Sequence, residues 1–194
     1  MIPAAGVSER MGVVKQLLKW RTSTLLGHSI ETARSLQCCE ICVVLGANYD
    51  IIKSEIDSYP VKIVNNEEWE SGLGRSISFG IQHLTDAHPT IDGVLIILPD
   101  QPLIDADYLN SMIEIFKPGG HQIIATNYDH HKQGVPTLFD KIYFEELAKL
   151  SDDKGAKKVI KKYSNRVVTL FANGKISDID TRQDYEDLYN ANHQ

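Results

Sequence analysis

Long hydrophobic runs are missing from this 194-residue chain. Its longest apolar stretches, such as residues 93–98, fall far below the roughly 20 residues that a bilayer demands, and no charged segment followed by an apolar one opens the chain. The expectation is a cytoplasmic protein with no membrane partner. Cysteine is scarce as well: Cys38, Cys39 and Cys42 crowd into five positions. Such an odd, tightly spaced set makes a poor disulfide framework and fits a reducing compartment. With no His in the segment around them and Cys42 opening an apolar run, they read as structural. A run of Lys and Arg is also absent, and 20 cationic against 26 acidic residues give a net charge of −6. That excludes the basic footprint of a protein that tracks along polymeric nucleic acid, while leaving room for a small anion held by a few residues. No Pro/Gly/Ser-rich linker and no internal repeat divides the sequence, so one domain over residues 1–194 is expected.

What is present is a globular composition, 42% hydrophobic and 24% charged. Short apolar, β-rich runs alternate with helix-period segments, the pattern of an α/β domain. Strands are expected at residues 41–45, 61–64, 93–98, 122–126 and 167–171, each continuous in apolar residues as strands covered on both faces should be. Ile77, Ile81 and Leu84 repeat at helical spacing. So do Leu109, Met112, Ile113 and Phe116, behind an N-cap at Asp105. Thr181 and Asp184 have the spacing of a capping box.

Parallel strands joined by helices place ligands at the strands' carboxyl ends, and three segments there carry candidate chemistry. The first is Pro3-Ala4-Ala5-Gly6-Val7-Ser8-Glu9-Arg10-Met11-Gly12 with Lys15 beyond it. Small residues let the backbone approach a ligand, successive N–H groups form an anion nest, and Arg10 and Lys15 neutralise phosphate. The same residues also suit a surface turn, and neither a P-loop nor a GxGxxG fingerprint is present. The second is Leu98-Pro99-Asp100-Gln101-Pro102, where Asp100 suits a carboxylate that holds Mg²⁺ against a phosphate; a turn into the next helix is the plain alternative. The third is Asp178-Ile179-Asp180-Thr181, whose alternate carboxylates suit a second metal ligand or simply a helix start. Asn65 with Trp69, residues 74–80 and residues 134–139 are weaker candidates. His130 and His131, beside Asp129, read as a polar loop.

In order and spacing, PAAGVSERMG with KQLL, then LPDQPL, GVPTLF, DKGAKK and DIDTRQDY resemble the nucleotidyltransferases of the molybdenum cofactor group, the MobA-like cytidylyl- and guanylyltransferases. The resemblance runs from Met1 to about Leu188. It implies a Rossmann-like three-layer sandwich on a mostly parallel sheet, as in nucleotide-diphospho-sugar transferases. It further implies that Ala4, Ala5 and Gly6 approach the base and ribose, that Ser8, Arg10 and Gly12 cradle the phosphates, and that Lys15 neutralises them. Asp100 and Asp180 would hold Mg²⁺, with Asp180 aligning better than Asp178. The AAG of the first loop and Ser76 point to CTP rather than GTP. The implied acceptor is a phosphate-bearing small molecule such as molybdopterin, with a molybdoenzyme as eventual recipient. A sugar- or alcohol-phosphate acceptor, or a cofactor carrier without turnover, are the alternatives. One departure stands out: family members have a full strand before the first loop, and here only Met1, Ile2 and Pro3 precede it. Either that strand is very short or the chain starts a few residues late. Charge is also split: residues 1–21 carry +3 and the remainder −9.

Overall fold

The computed structural model describes residues 1–7, 11–129 and 132–193. Ser8, Arg10, His130 and His131 lie outside the described residues, so the readings that fall on them have no structural counterpart. In chain order the elements are β1 (Ile2–Pro3), β2 (Lys19–Trp20), β3 (Ser23–Thr24), α1 (Leu25–Arg34), β4 (Cys42–Leu45), α2 (Tyr49–Ile56), β5 (Lys62–Asn65), α3 (Leu73–Ala87), β6 (Gly93–Ile96) and α4 (Ala106–Ile115). They continue with β7 (Ile123–Asp129), β8 (Lys132–Asp140), α5 (Phe144–Leu147), α6 (Lys157–Lys162), β9 (Val167–Phe171) and α7 (Arg182–Asn192).

Alternation along the strands decides the layering, because successive side chains on a strand point to opposite faces. Cys42 and Val44 of β4, Ile123 of β7 and Phe139 of β8 meet Ile77, Ile81 and Leu84 of α3 together with Val159 and Ile160 of α6. Their neighbours Val43, Leu45, Ile124 and Leu138 meet Leu26 and Ile30 of α1, Ile52 and Ile56 of α2, and Leu109 and Met112 of α4. Helices therefore cover both faces, which is why these strands read as continuous apolar runs. The helix starts follow local chemistry. Asp105 caps α4 by accepting from the Tyr108 N–H at 3.0 Å, and Thr181 with Asp184 forms a reciprocal capping box at α7.

Strands β1, β4 and β5 are parallel, in the order β1-β4-β5, and a second set runs β6-β8-β7-β9. Met1 joins the two: its amino group donates to the Leu95 carbonyl at 2.8 Å, and its carbonyl accepts from the Ile97 N–H at 3.1 Å. The first strand is thus only two residues long, yet it lies mid-sheet, between β4 and β6. Within this second set β8 runs against its neighbours β6 and β7, whereas β9 is parallel to β7. Nothing in residues 132–136 reads as a central strand, since Gly134 and Pro136 both weaken one. The register shift opposite Ala125 and Thr126 accommodates them. Side chains then take up the freed carbonyls: Thr126 Oγ1 donates to Pro136 at 2.8 Å and Thr137 Oγ1 to Gly134 at 2.7 Å. Cys42 is buried in β4, where burial pushes its thiol up to about 11, while Cys38 and Cys39 are exposed. No helix among the described residues is long and apolar enough to cross a membrane.

Candidate active site

Strands β1 and β6 end side by side, and the chain leaving each of them lines one cleft of about 700 Å³ with Pro3, Ala4, Gly6, Lys15, Gln16, Leu98, Asp100 and Asp180 in its wall. The first loop is built on the sheet. The Ala4 N–H donates to Val44 at 2.8 Å and the Ala5 carbonyl accepts from the Ala47 N–H at 2.9 Å. Gln16, which is buried, donates from Nε2 to the carbonyls of Ala4 (2.9 Å) and Gly6 (3.0 Å), so both are held from beneath. Sequence reasoning passed over this glutamine, which follows Lys15 directly. Gln16→Leu keeps the volume and removes both bonds; it is expected to lower stability by about 1–3 kcal/mol and to raise the KM for whatever the cleft binds more than it lowers kcat. Chemical denaturation and steady-state kinetics check this. Gly12 sits at φ +64° in the turn leading to Lys15, outside the cleft wall.

Two segments far from it in sequence converge on Lys15. Its ammonium donates to Asp100 Oδ2 and to the Ile179 carbonyl, both at 2.8 Å, and lies 4.0 Å from Asp180 Oδ1. The Ile179 N–H in turn donates to the Asp100 carbonyl at 3.0 Å, which ties the two acidic turns together. The side chains of Lys15 and Asp100 are only 18% and 20% exposed, against 59% for Asp180. Asp178 points elsewhere: its Oδ1 accepts from Gln101 Nε2 at 2.8 Å, and the same amide donates to the Tyr128 hydroxyl at 2.5 Å. Desolvation holds the Asp178 carboxyl above its ordinary value, with the charges of Asp100 and Asp180 adding to it against the bond from Gln101. Asp100 Oδ1 is buried and has no hydrogen-bond partner among the described residues. Carboxylate oxygens with spare lone pairs are the ligands that Mg²⁺ and Mn²⁺ accept. Among the described residues no group of three metal-type ligands forms.

Beside this cleft a smaller cavity of about 310 Å³ is walled by Ala5, Gly6, Trp69, Gly72, Leu73, Ser76 and Asp153. Its walls meet at close quarters: a Cβ on Gly46 would come within 2.5 Å of Trp69 Cβ and 2.9 Å of Ala5 Cβ. Gly72, at φ +94°, would place a Cβ 2.9 Å from the Asp153 backbone, and the Gly74 N–H donates to the Asp152 carbonyl at 2.7 Å. The glycines around α3 therefore serve backbone-to-backbone contact with the 152–155 segment. Ser76 on α3 faces Asn66, whose Nδ2 donates to Ser76 Oγ at 3.0 Å. Asn65, a weaker candidate from sequence, is exposed at the end of β5, and Asn66 beside it is buried and bonded to Ser76.

A doubly covered, mostly parallel sheet, with a small-residue loop, a lysine and two carboxylates gathered where its strands end, defines a nucleotide-handling α/β protein. More specifically, the chain matches the MobA-like NTP transferase domain over residues 1–167 and belongs to that nucleotidyltransferase family. Among curated relatives, nicotine blue oxidoreductase of Paenarthrobacter nicotinovorans is 33% identical over 117 residues, 60% of this chain and 55% of that protein. This chain thus spans about half the length of that relative. Purine catabolism protein PucB of Bacillus subtilis is 26% identical over 193 residues, 94% of this chain and 91% of that protein. Among solved structures, Rv0371c from Mycobacterium tuberculosis H37Rv superposes with a TM-score of 0.85 at 29% identity, covering 97% of this chain and 95% of that one. A manganese complex of the same protein superposes at 0.81, with 27% identity over 98% of this chain and 96% of that one.

Proposed function

We propose that this chain transfers a cytidylyl group from CTP to a phosphate-bearing acceptor, the terminal phosphate of molybdopterin, with release of pyrophosphate, and that residues 1–194 work as one nucleotidyltransferase domain. The observation that carries this reading is the convergence of Lys15, Asp100 and Asp180 on the cleft bounded by the Ala4–Gly6 loop. A phosphate monoester has its second pKa near ~6, so the acceptor arrives ionised at neutral pH and needs no general base. One of its oxygens attacks the α-phosphorus in line. The new oxygen–phosphorus bond forms as the bond to the β-phosphate's bridging oxygen breaks, and that electron pair departs with pyrophosphate. Positioning and charge stabilisation supply the catalysis.

Each residue has a part in this. Ala4, Ala5 and Gly6 let the base and ribose approach, and Lys15 neutralises the charge that gathers on the leaving group; Ser8, Arg10 and Gly12 are assigned to the phosphates by the sequence resemblance alone. Ser76 contacts cytosine. Asp100 and Asp180 would hold a divalent cation, Mg²⁺ in the cell; the partnerless Asp100 Oδ1 and the manganese complex of Rv0371c support this. When bound, that cation neutralises phosphate charge and orients the α-phosphate.

A panel of the four nucleoside triphosphates with Mg²⁺, read by thermal melting, tests the base. At a hundredfold excess over Kd, CTP is expected to add about 2.7 kcal/mol, a rise on the order of 5–10 °C. An equal response to all four removes the cytosine assignment. Pyrophosphate release from CTP and Mg²⁺ with molybdopterin present tests the transfer; binding without release points to a carrier, and release only with a sugar or alcohol phosphate reassigns the acceptor.

A further inference from the structure

The bond between Asn66 and Ser76 has a direction, and the direction bears on which base the smaller cavity accepts. Asn66 is fully buried. Its backbone N–H donates to the Leu45 carbonyl at 2.7 Å, and its Oδ1 accepts from the Glu68 N–H at 3.0 Å. A backbone N–H can only donate, so the amide oxygen must be the atom facing Glu68. The amide nitrogen is therefore the atom facing Ser76 Oγ at 3.0 Å. Ser76 Oγ is left as an acceptor toward Asn66, with its own proton free to point elsewhere. A helical serine commonly gives that proton to the carbonyl four residues back, yet Ser76 makes no such bond to Gly72 among the described residues. Ser76 is buried and forms part of the cavity wall with Ala5 and Trp69.

We propose that Asn66 is a positioning residue for nucleobase selection: it fixes the Ser76 hydroxyl as a donor into the cavity, so that the cavity favours a base offering an acceptor there, as cytosine does with its O2 and N3. This rests on the nucleotide reading given above and deepens it. A base presenting an N–H at that point can take only the second lone pair of Ser76 Oγ, and the buried hydroxyl proton is then left without an acceptor, because the Asn66–Glu68 bond keeps an N–H rather than an oxygen facing it. Discrimination then arises from a buried polar group left unpaired by the wrong base.

The test is a double-mutant cycle on the full chain, with affinity for CTP, UTP, GTP and ATP measured with Mg²⁺ present and folding verified by thermal melting. Ser76→Ala and Asn66→Ala are each expected to weaken CTP binding about tenfold and to flatten the preference among the four nucleotides. Asn66→Ala introduced into the Ser76→Ala chain is expected to cost less than a further twofold, because its effect runs through a hydroxyl no longer present. A further tenfold loss in that background overturns the proposal, since it marks a packing role independent of Ser76. Should Asn66→Ala fail to fold, Asn66→Asp keeps the shape and the bond from Glu68, and its ionised carboxylate draws the Ser76 proton away from the cavity. The same loss of preference is then expected, and an unchanged preference overturns the proposal. Failure of the cytosine reading is distinguishable: the parent chain then prefers another nucleotide, and the cycle is read with that nucleotide.

Discussion

Asp100→Asn is expected to lower nucleotidyl transfer about a thousandfold with little change in melting temperature, the scale on which removing one electrostatic contact to a reacting group acts. The substitution is nearly isosteric and the site is not sealed from water, so the fold loses little. What changes is charge and ligand strength. Asp100 Oδ2 accepts from Lys15 and Oδ1 is without a partner; a neutral amide offers one weaker oxygen and turns an N–H toward either the ammonium or the cation's place. The measurements are pyrophosphate release at saturating Mg²⁺ and a Mn²⁺ titration in the presence of CTP. Both rate and metal affinity are expected to fall. Transfer within tenfold of the parent would remove Asp100 from the reaction.

Lys15→Met should lose about a hundredfold in kcat/KM by a different route. The methionine fills the same space but leaves Asp100 and the Ile179 carbonyl without their shared donor, at a stability cost of about 1–3 kcal/mol for a charged hydrogen bond. Metal affinity is the discriminating readout. With the ammonium gone, the two carboxylates face each other unscreened and attract Mn²⁺ at least as well as before, whereas Asp100→Asn weakens that attraction. A Lys15→Met chain that turns over at the parent rate would show that its ammonium serves only to hold the acidic turns together.

The parts legible in the sequence are those set by near neighbours. The cap at Asp105, the box at Thr181 and Asp184, and the helical repeat of Ile77, Ile81 and Leu84 need only a few residues to form, and each stands where expected. The five strands expected from apolar runs are present: 167–171 coincides with β9, and each of the other four has at least one end displaced by one to three residues. β8 escaped because its pairing depends on β6 and β7, not on its own Gly- and Pro-bearing residues, and its bulge is rescued by the hydroxyls of Thr126 and Thr137. At the candidate site, local pattern pointed to Lys15, Asp100 and the Asp178/Asp180 pair, and the family resemblance to Asp180, but nothing local could reveal that the lysine clasps both acidic turns. Asn66 is not legible beside Asn65, because only the packing of α3 onto the sheet decides which of two adjacent asparagines turns inward.

The clasp at Lys15 also dictates when in folding this site comes into being. Its two hydrogen bonds close loops of 85 and 164 residues, and contacts of such sequence separation form only after the entropy of ordering the intervening chain has been overcome. A ribosome-bound chain that has exposed the first loop and Asp100 still lacks Ile179 and Asp180. Triphosphate binding should therefore appear late and abruptly during synthesis, as a property of the finished sheet.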